Sequence, residues 1–387
     1  MIDQDVSRRS FLHLSLTGAA GLALADSAQA AAGDFLLYVG TYTKGKSEGI
    51  YIYRMNGQSG GLTPVATVKD PASPSFLAID PRRRFLYAAN ETGQFNGKQG
   101  GGVTAYAIDQ KTGNLKKLND QPSPGVPCHV SVHPSGRYVL AANYGGGNVV
   151  MYPVKPDGSL GEQSYVAQHT GKGADPKRQD GPHAHSIMLD EAGRYAFAPD
   201  LGIDKVMIYR VDAAAGKLLM HGYAATRPAA GPRHFDFHPS GRFAYVINEL
   251  NSTITVFAYD KGKGTLTELQ TVSTLPDGFT GTSYCADIHV HPSGRFLYGS
   301  NRGHDSIVAF LINNDGKLSI LHHEPVGGKW PRNFGIDPTG SFLLVANQNT
   351  DNIVVFRLDP RTGWLKPTGQ SIDVPIPVCL KFIPAFS

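Results

Sequence analysis

Apolar residues recur two apart in short runs along almost the whole chain. Six stretches share one design: "FLAIDPRRRFLYAAN" (76–90), "HVSVHPSGRYVLAAN" (129–143), "SIMLDEAGRYAFAPD" (186–200), "HFDFHPSGRFAYVIN" (234–248), "DIHVHPSGRFLYGSN" (287–301) and "NFGIDPTGSFLLVAN" (333–347). Each opens on a strand with alternating apolar residues, such as Phe235 and Phe237, the period of a half-buried strand. A polar turn follows, then a second apolar strand ending in Asn or Asp. In four copies the turn reads Pro-x-Gly. Pro presets φ at the first corner, and Gly accepts the positive φ that ends it. A further strand–turn–strand phrase comes after each hairpin, for example "NVVMYPVKPDGSL" and "NIVVFRLDPRTGWL".

Four strands per roughly 50 residues, joined as an antiparallel meander, is the arithmetic of a propeller blade. The chain ends complete the count. "DFLLYVGT" (34–41) is a second strand lacking its first, and "VCLKFIP" (378–384) is a first strand lacking its second. The pattern predicts an all-β protein, a seven-bladed β-propeller of four-stranded antiparallel blades over residues 31–387, closed by pairing of the N- and C-terminal strands.

Alternate connections of a meander lie on opposite ends of the sheet. The repeated turn lies at one end of every blade. The start of the first strand and the end of the second meet at the other, around one mouth of the central channel. The first-strand positions are Ser75, Cys128, His185, Arg233, Ala286 and Arg332; those just past the second strand are Tyr42, Glu91, Tyr144, Leu201, Glu249, Arg302 and Gln348. The scaffold turn repeats because every blade needs it, whereas the mouth residues differ because one site needs unlike groups. The longest connections, 90–102, 161–185 and 270–286, reach the same mouth, and long loops on a rigid scaffold carry function. His133, His238 and His291 belong to the repeated turns, at the far end, and are read as solvated turn residues.

Arg233, Arg302 and Arg332 offer planar forks for a carboxylate, a phosphate or a developing oxyanion. Glu249 pairs with an arginine or serves as a base, and His185 can move a proton near neutral pH. The competing reading is a salt-bridge network that plugs the channel, with Glu249 between arginines. Glu249→Gln or Arg233→Ala is the discriminating substitution, through turnover against thermal stability. His183 and His185, with Asp180, His234, Asp287 and His289, suggest a cation in outline. No complete ligand set follows from their spacing, so neither a metal nor a cofactor is expected. No G-x-S-x-G elbow occurs.

Charge is nearly balanced, with 36 basic and 32 acidic residues. The basic residues are scattered, which argues against a nucleic-acid partner. Three cysteines (Cys128, Cys285, Cys379) form no disulfide framework and no Cys-x-x-Cys pair, and are expected to be buried thiols. Residues 1–30 carry Arg8-Arg9, an Ala/Gly/Leu run and Ala28-Gln29-Ala30, a pattern that resembles a twin-arginine export signal. It implies recognition by the twin-arginine export machinery and a periplasmic protein with no membrane contact once the signal is cleaved.

Four segments are more specific than generic propeller repeats: "DPKRQDGPHAH" (175–185), "GPRHFDFHPSGRFAYVINELNSTITVF" (231–257), "SNRGHDSIVAF" (300–310) and "PRNFGIDPTG" (331–340). Through them the chain resembles, over nearly its whole length, the seven-bladed propeller lactonases, a family that includes bacterial 6-phosphogluconolactonase and fungal carboxy-cis,cis-muconate cyclase. The resemblance implies His185, Arg233, Glu249 and Arg302 as catalytic residues. His183, Glu91, His234 and Arg332 are expected around them as substrate-binding residues. It implies a small, anionic lactone substrate and hydrolysis without a metal. A carboxymuconate-type cycloisomerase and a non-enzymatic binding propeller are the alternatives. Because an exported protein does not normally meet a phosphorylated cytoplasmic intermediate, an unphosphorylated aldonolactone is the expected substrate.

Overall fold

The described residues form seven four-stranded antiparallel sheets, with one two-stranded hairpin beside them. The computed structural model describes residues 33–70 and 72–386; the expected export signal, residues 1–30, lies outside the described residues. Among the described residues no helix forms. The innermost strands of blades 2 to 7 are Pro74–Ile79, Pro127–Val132, Met188–Leu189, Pro232–Phe237, Tyr284–Val290 and Pro331–Ile336. In blade 1 that place is taken by Pro377–Pro384, paired with Phe35–Thr41 in a register running from Phe35↔Pro384 to Val39↔Leu380. The ring is therefore closed by its own ends, as the half-hairpins at the termini predict.

Blades are held face to face by the apolar period. Phe243, Tyr245 and Ile247 of blade 5 pack with Leu297, Val308 and Phe310 of blade 6 in one buried cluster. The turns repeat for the expected backbone reason: Gly136, Gly241, Gly294 and Gly340 have φ between 65° and 74°. Their histidines correct the sequence reading. His133 and His291 are buried, not solvated. The Ser135 N–H donates to Nδ1 of His133 (3.1 Å), which leaves Nε2–H to donate to the Gly193 carbonyl of the next blade's turn (3.0 Å). His238 and His291 repeat the device toward Gly294 (2.8 Å) and Gly340 (2.9 Å). Three imidazoles thus clasp neighbouring turns at the end of the ring opposite the polar mouth.

Candidate active site

Among the described residues, six of the seven inner strands show a register shift near the point where they enter the sheet. In blade 5, Pro232 pairs with Asn248 and His234 with Ile247, so Arg233 is left without a partner. Cys128, Arg332 and Ser75 are skipped in the same way in blades 3, 7 and 2. A bulge re-aims the extra side chain and bends the strand. In blades 2, 3, 5 and 7 the extra residue is the one that strand alternation places at the mouth. The entry is strained in blade 7, where Trp330, just before Pro331, has φ 65°, a conformation costing on the order of 1–2 kcal/mol for a residue with a Cβ. Asp305 holds it by accepting the Trp330 N–H (2.8 Å).

At the other side of the mouth, the residues that end the second strands, Asn90, Asn143, Asp200, Asn248, Asn301 and Asn347, are all fully buried. They brace the loops. Asp200 accepts the His183 backbone N–H (2.7 Å) and contacts Nδ1 of His169 (2.5 Å). This pins both ends of the segment that carries Arg178, His183 and His185.

These elements enclose a cavity of about 440 Å³ whose wall includes Glu91, Arg178, His185, Glu249, Arg302 and Arg332. Tyr42, Cys128, Tyr144, Tyr284 and Trp330 complete it. Glu249 is the centre of the polar network. Its Oε1 accepts from Arg178 (2.7 Å), and its Oε2 from Arg233 (3.0 Å) and Arg302 (2.9 Å). The two inner arginines are also fixed by carbonyls: Arg233 donates to Ala286 O, and Arg302 to Cys285 O (2.7 Å). The Arg302 guanidinium lies 5.3 Å from the centre of the Trp330 ring. Glu91 accepts the hydroxyls of Tyr42 (2.9 Å) and Ser75 (2.6 Å) and lies 3.9 Å from Arg332.

The electrostatics follow from this crowding. Burial works to raise the Glu249 carboxyl, but Arg302, Arg233 and Arg178 outweigh it and hold the group down to about 2. Burial, with Arg302 and Arg332 nearby, pulls the Arg233 guanidinium down to about 10, still charged at neutral pH. Burial and then the Arg233 charge hold His185 well below the usual histidine range, so it is a neutral imidazole at pH 7. Its Nδ1 lies 3.7 Å from Cys128 Sγ. Four arginines face two glutamates, which leaves a surplus of positive charge.

Not every expected residue reaches the cavity. Arg233 stands behind Glu249 and is only 2% exposed. His183 stacks on Tyr144 with centroids 4.5 Å apart and contacts the Tyr144 carbonyl (3.0 Å), outside the wall. His234 lies deeper in the channel. Its Nδ1 donates to Asp287 (2.7 Å) and its ring meets His185 edge-on at 5.5 Å. His289 contacts the same Asp287 (3.0 Å). Among the described residues no cluster of His, Cys, Asp or Glu has the arrangement of a metal site. All three cysteines are buried free thiols. Sequence reasoning passed over Arg178 as a site residue, although it lies inside a quoted segment. It also passed over Tyr284 and Trp330, which precede the positions the strand alternation selects.

A closed propeller whose rigid mouth gathers arginines, a carboxylate and a neutral histidine around a small cavity defines a class: rigid scaffolds with one polar site for a small molecule. A family model described as "Lactonase, 7-bladed beta-propeller" matches residues 36–382. The chain belongs to the seven-bladed β-propeller lactonase family. It is 41% identical over 352 residues to the 6-phosphogluconolactonase of Bacillus subtilis, covering 90% of this chain and 98% of that one. The 6-phosphogluconolactonase of Formosa agariphila is 36% identical over 348 residues, 87% of this chain and 96% of the relative. Among solved structures, the periplasmic gluconolactonase PpgL of Pseudomonas aeruginosa superposes with a TM-score of 0.85 at 37% identity, over 91% of this chain and 99% of that one.

Proposed function

We propose that this chain hydrolyses an unphosphorylated aldonolactone in the periplasm, with His185 moving the proton and the arginines holding the developing charge. The observation that carries the reading is the positive surplus around a cavity whose wall includes one neutral imidazole. Family membership supports lactone chemistry. The export-like N-terminal sequence and the likeness to a periplasmic gluconolactonase support the compartment and the absence of a phosphate.

In this reading a water oxygen bonds to the ring carbonyl carbon while His185 takes one of its protons. The carbonyl electron pair moves onto oxygen, facing Arg302 and Arg332. An oriented donor at such an oxyanion is typically worth about 3 kcal/mol of barrier. Collapse breaks the bond to the ring oxygen, which takes the proton back from His185. The acid formed ionises against the arginines. Glu249 is a poor base, because a carboxyl held near 2 has little affinity for a proton. Its role is positioning: it fixes three guanidiniums that would otherwise repel one another. The proton affinity of His185 is low while the cavity is cationic, and rises as the oxyanion screens Arg233 and Arg332. The test is hydrolysis, above the spontaneous rate, of glucono-1,5-lactone against its 6-phosphate by purified protein. Preference for the unphosphorylated lactone supports the reading, and preference for the phosphate by orders of magnitude overturns the choice of substrate.

A further inference from the structure

A second cavity of about 510 Å³ adjoins the first and shares Tyr42, Glu91 and Arg332 with it. Its remaining polar wall is Lys44, Thr92, Gln348 and Asn349. Each of the two cavities falls in the size range that holds a small ligand, so there is room beside the first for a substituent on the lactone.

The lining sets the chemistry of the outer unit. Lys44 and Arg332 only donate hydrogen bonds, Glu91 only accepts, and Thr92, Gln348 and Asn349 do both. A sugar hydroxyl also donates and accepts, so a polyhydroxylated ring finds partners of each kind. A phosphate only accepts, and would meet the Glu91 carboxylate as a like charge. Two groups here have unused capacity. Gln348 Oε1 is buried without a hydrogen-bond partner. Exposed Lys44 has its ammonium 5.8 Å from the centre of the Tyr42 ring, which Arg332 also approaches at 5.3 Å. That ring forms part of the wall common to both cavities.

We infer that the outer cavity is a subsite for a glycosyl substituent, so that the preferred substrate is an aldonolactone bearing a second sugar ring. The inference rests on the lactonase reading above. Contacts to the distant ring add binding energy and fix the lactone carbonyl against His185 and Arg302. Substrates lacking that ring lose rate as well as affinity.

The experiment compares kcat/KM for glucono-1,5-lactone, cellobiono-1,5-lactone and 6-phosphogluconolactone in the wild type, Lys44→Ala and Asn349→Ala. The glycosylated lactone is expected to exceed the plain one by roughly tenfold, the worth of one or two added hydrogen bonds. Each substitution removes much of that gain and leaves the plain lactone within about twofold. Equal values for the plain and glycosylated lactones in the wild type overturn the inference, as does a gain that survives both substitutions. A phosphorylated lactone that outruns the glycosylated one and collapses in Lys44→Ala assigns the cavity to a phosphoryl group instead, which also overturns it. Absence of any acceleration on all three lactones sinks the lactonase reading itself, a result distinct from loss of the glycosyl preference alone.

Discussion

Glu249 shows how much one side chain can commit. It pairs with Arg178, Arg233 and Arg302 at once, and removing one partner of a buried ion pair costs about 3–5 kcal/mol. Glu249→Gln is therefore expected to lower stability by about that amount in urea unfolding, and an unchanged midpoint would show that the network is not coupled as drawn. This alters the test suggested by the sequence. A channel plug and an enzyme both predict destabilisation at Glu249, so turnover against stability must be read at His185, which carries no ion pair. The pH dependence belongs to the same residue. Because burial and Arg233 hold His185 well below the ordinary value, the imidazole is already neutral at pH 6. The expected kcat/KM profile is flat from pH 8 to 6, after correction for spontaneous hydrolysis. A fall centred near 6.5, the unperturbed histidine value, counts against His185 as the buried neutral base.

Strand alternation placed Arg233, Arg302, Arg332, Glu91, Glu249 and His185 around one mouth, because the ends of consecutive strands are fixed by the repeat. It was blind to the bulges. Nothing in "GPRHF" or "WPRNF" says that Arg233 or Arg332 is the extra residue, since a bulge is a property of the pairing and not of one strand. Arg178 was hidden for another reason: residues 169–185 have no period, and the anchoring by Asp200 is a tertiary contact. The turn histidines misled in the opposite direction. A turn ordinarily faces water, but these three turns meet the next blade's turn. His291→Ala leaves the Gly340 carbonyl without its donor, and a loss of about 1–2 kcal/mol is expected from thermal or chemical melting, the usual cost of an unmet buried group. A variant as stable as the wild type would contradict the clasp.

Over the whole ring, the buried histidines make stability depend on pH. Burial lowers His129, His185 and His234, the last to about 4. Their folded values lie below the unfolded value of about 6.5, so the stability they contribute is complete above that pH and is lost as pH falls toward 4. For His234 alone the loss is on the order of 3 kcal/mol. His289 works in reverse. Burial opposes its charge, yet Asp287 and Asp236 raise it, so it favours the fold at low pH and only partly offsets the others. The melting temperature is expected to drop between pH 6.5 and 4, and a flat curve over that interval would mean that the channel histidines are solvated. The closed ring makes the mouth rigid enough for these groups to act together, which is where the functional claim is most exposed. The most direct measurement is pH-stat hydrolysis of glucono-1,5-lactone by the wild type and His185→Asn, with melting curves of both. Acceleration by the wild type and a loss of about 100-fold or more in kcat in the folded variant are expected. A folded His185→Asn protein that keeps wild-type turnover would contradict the functional claim.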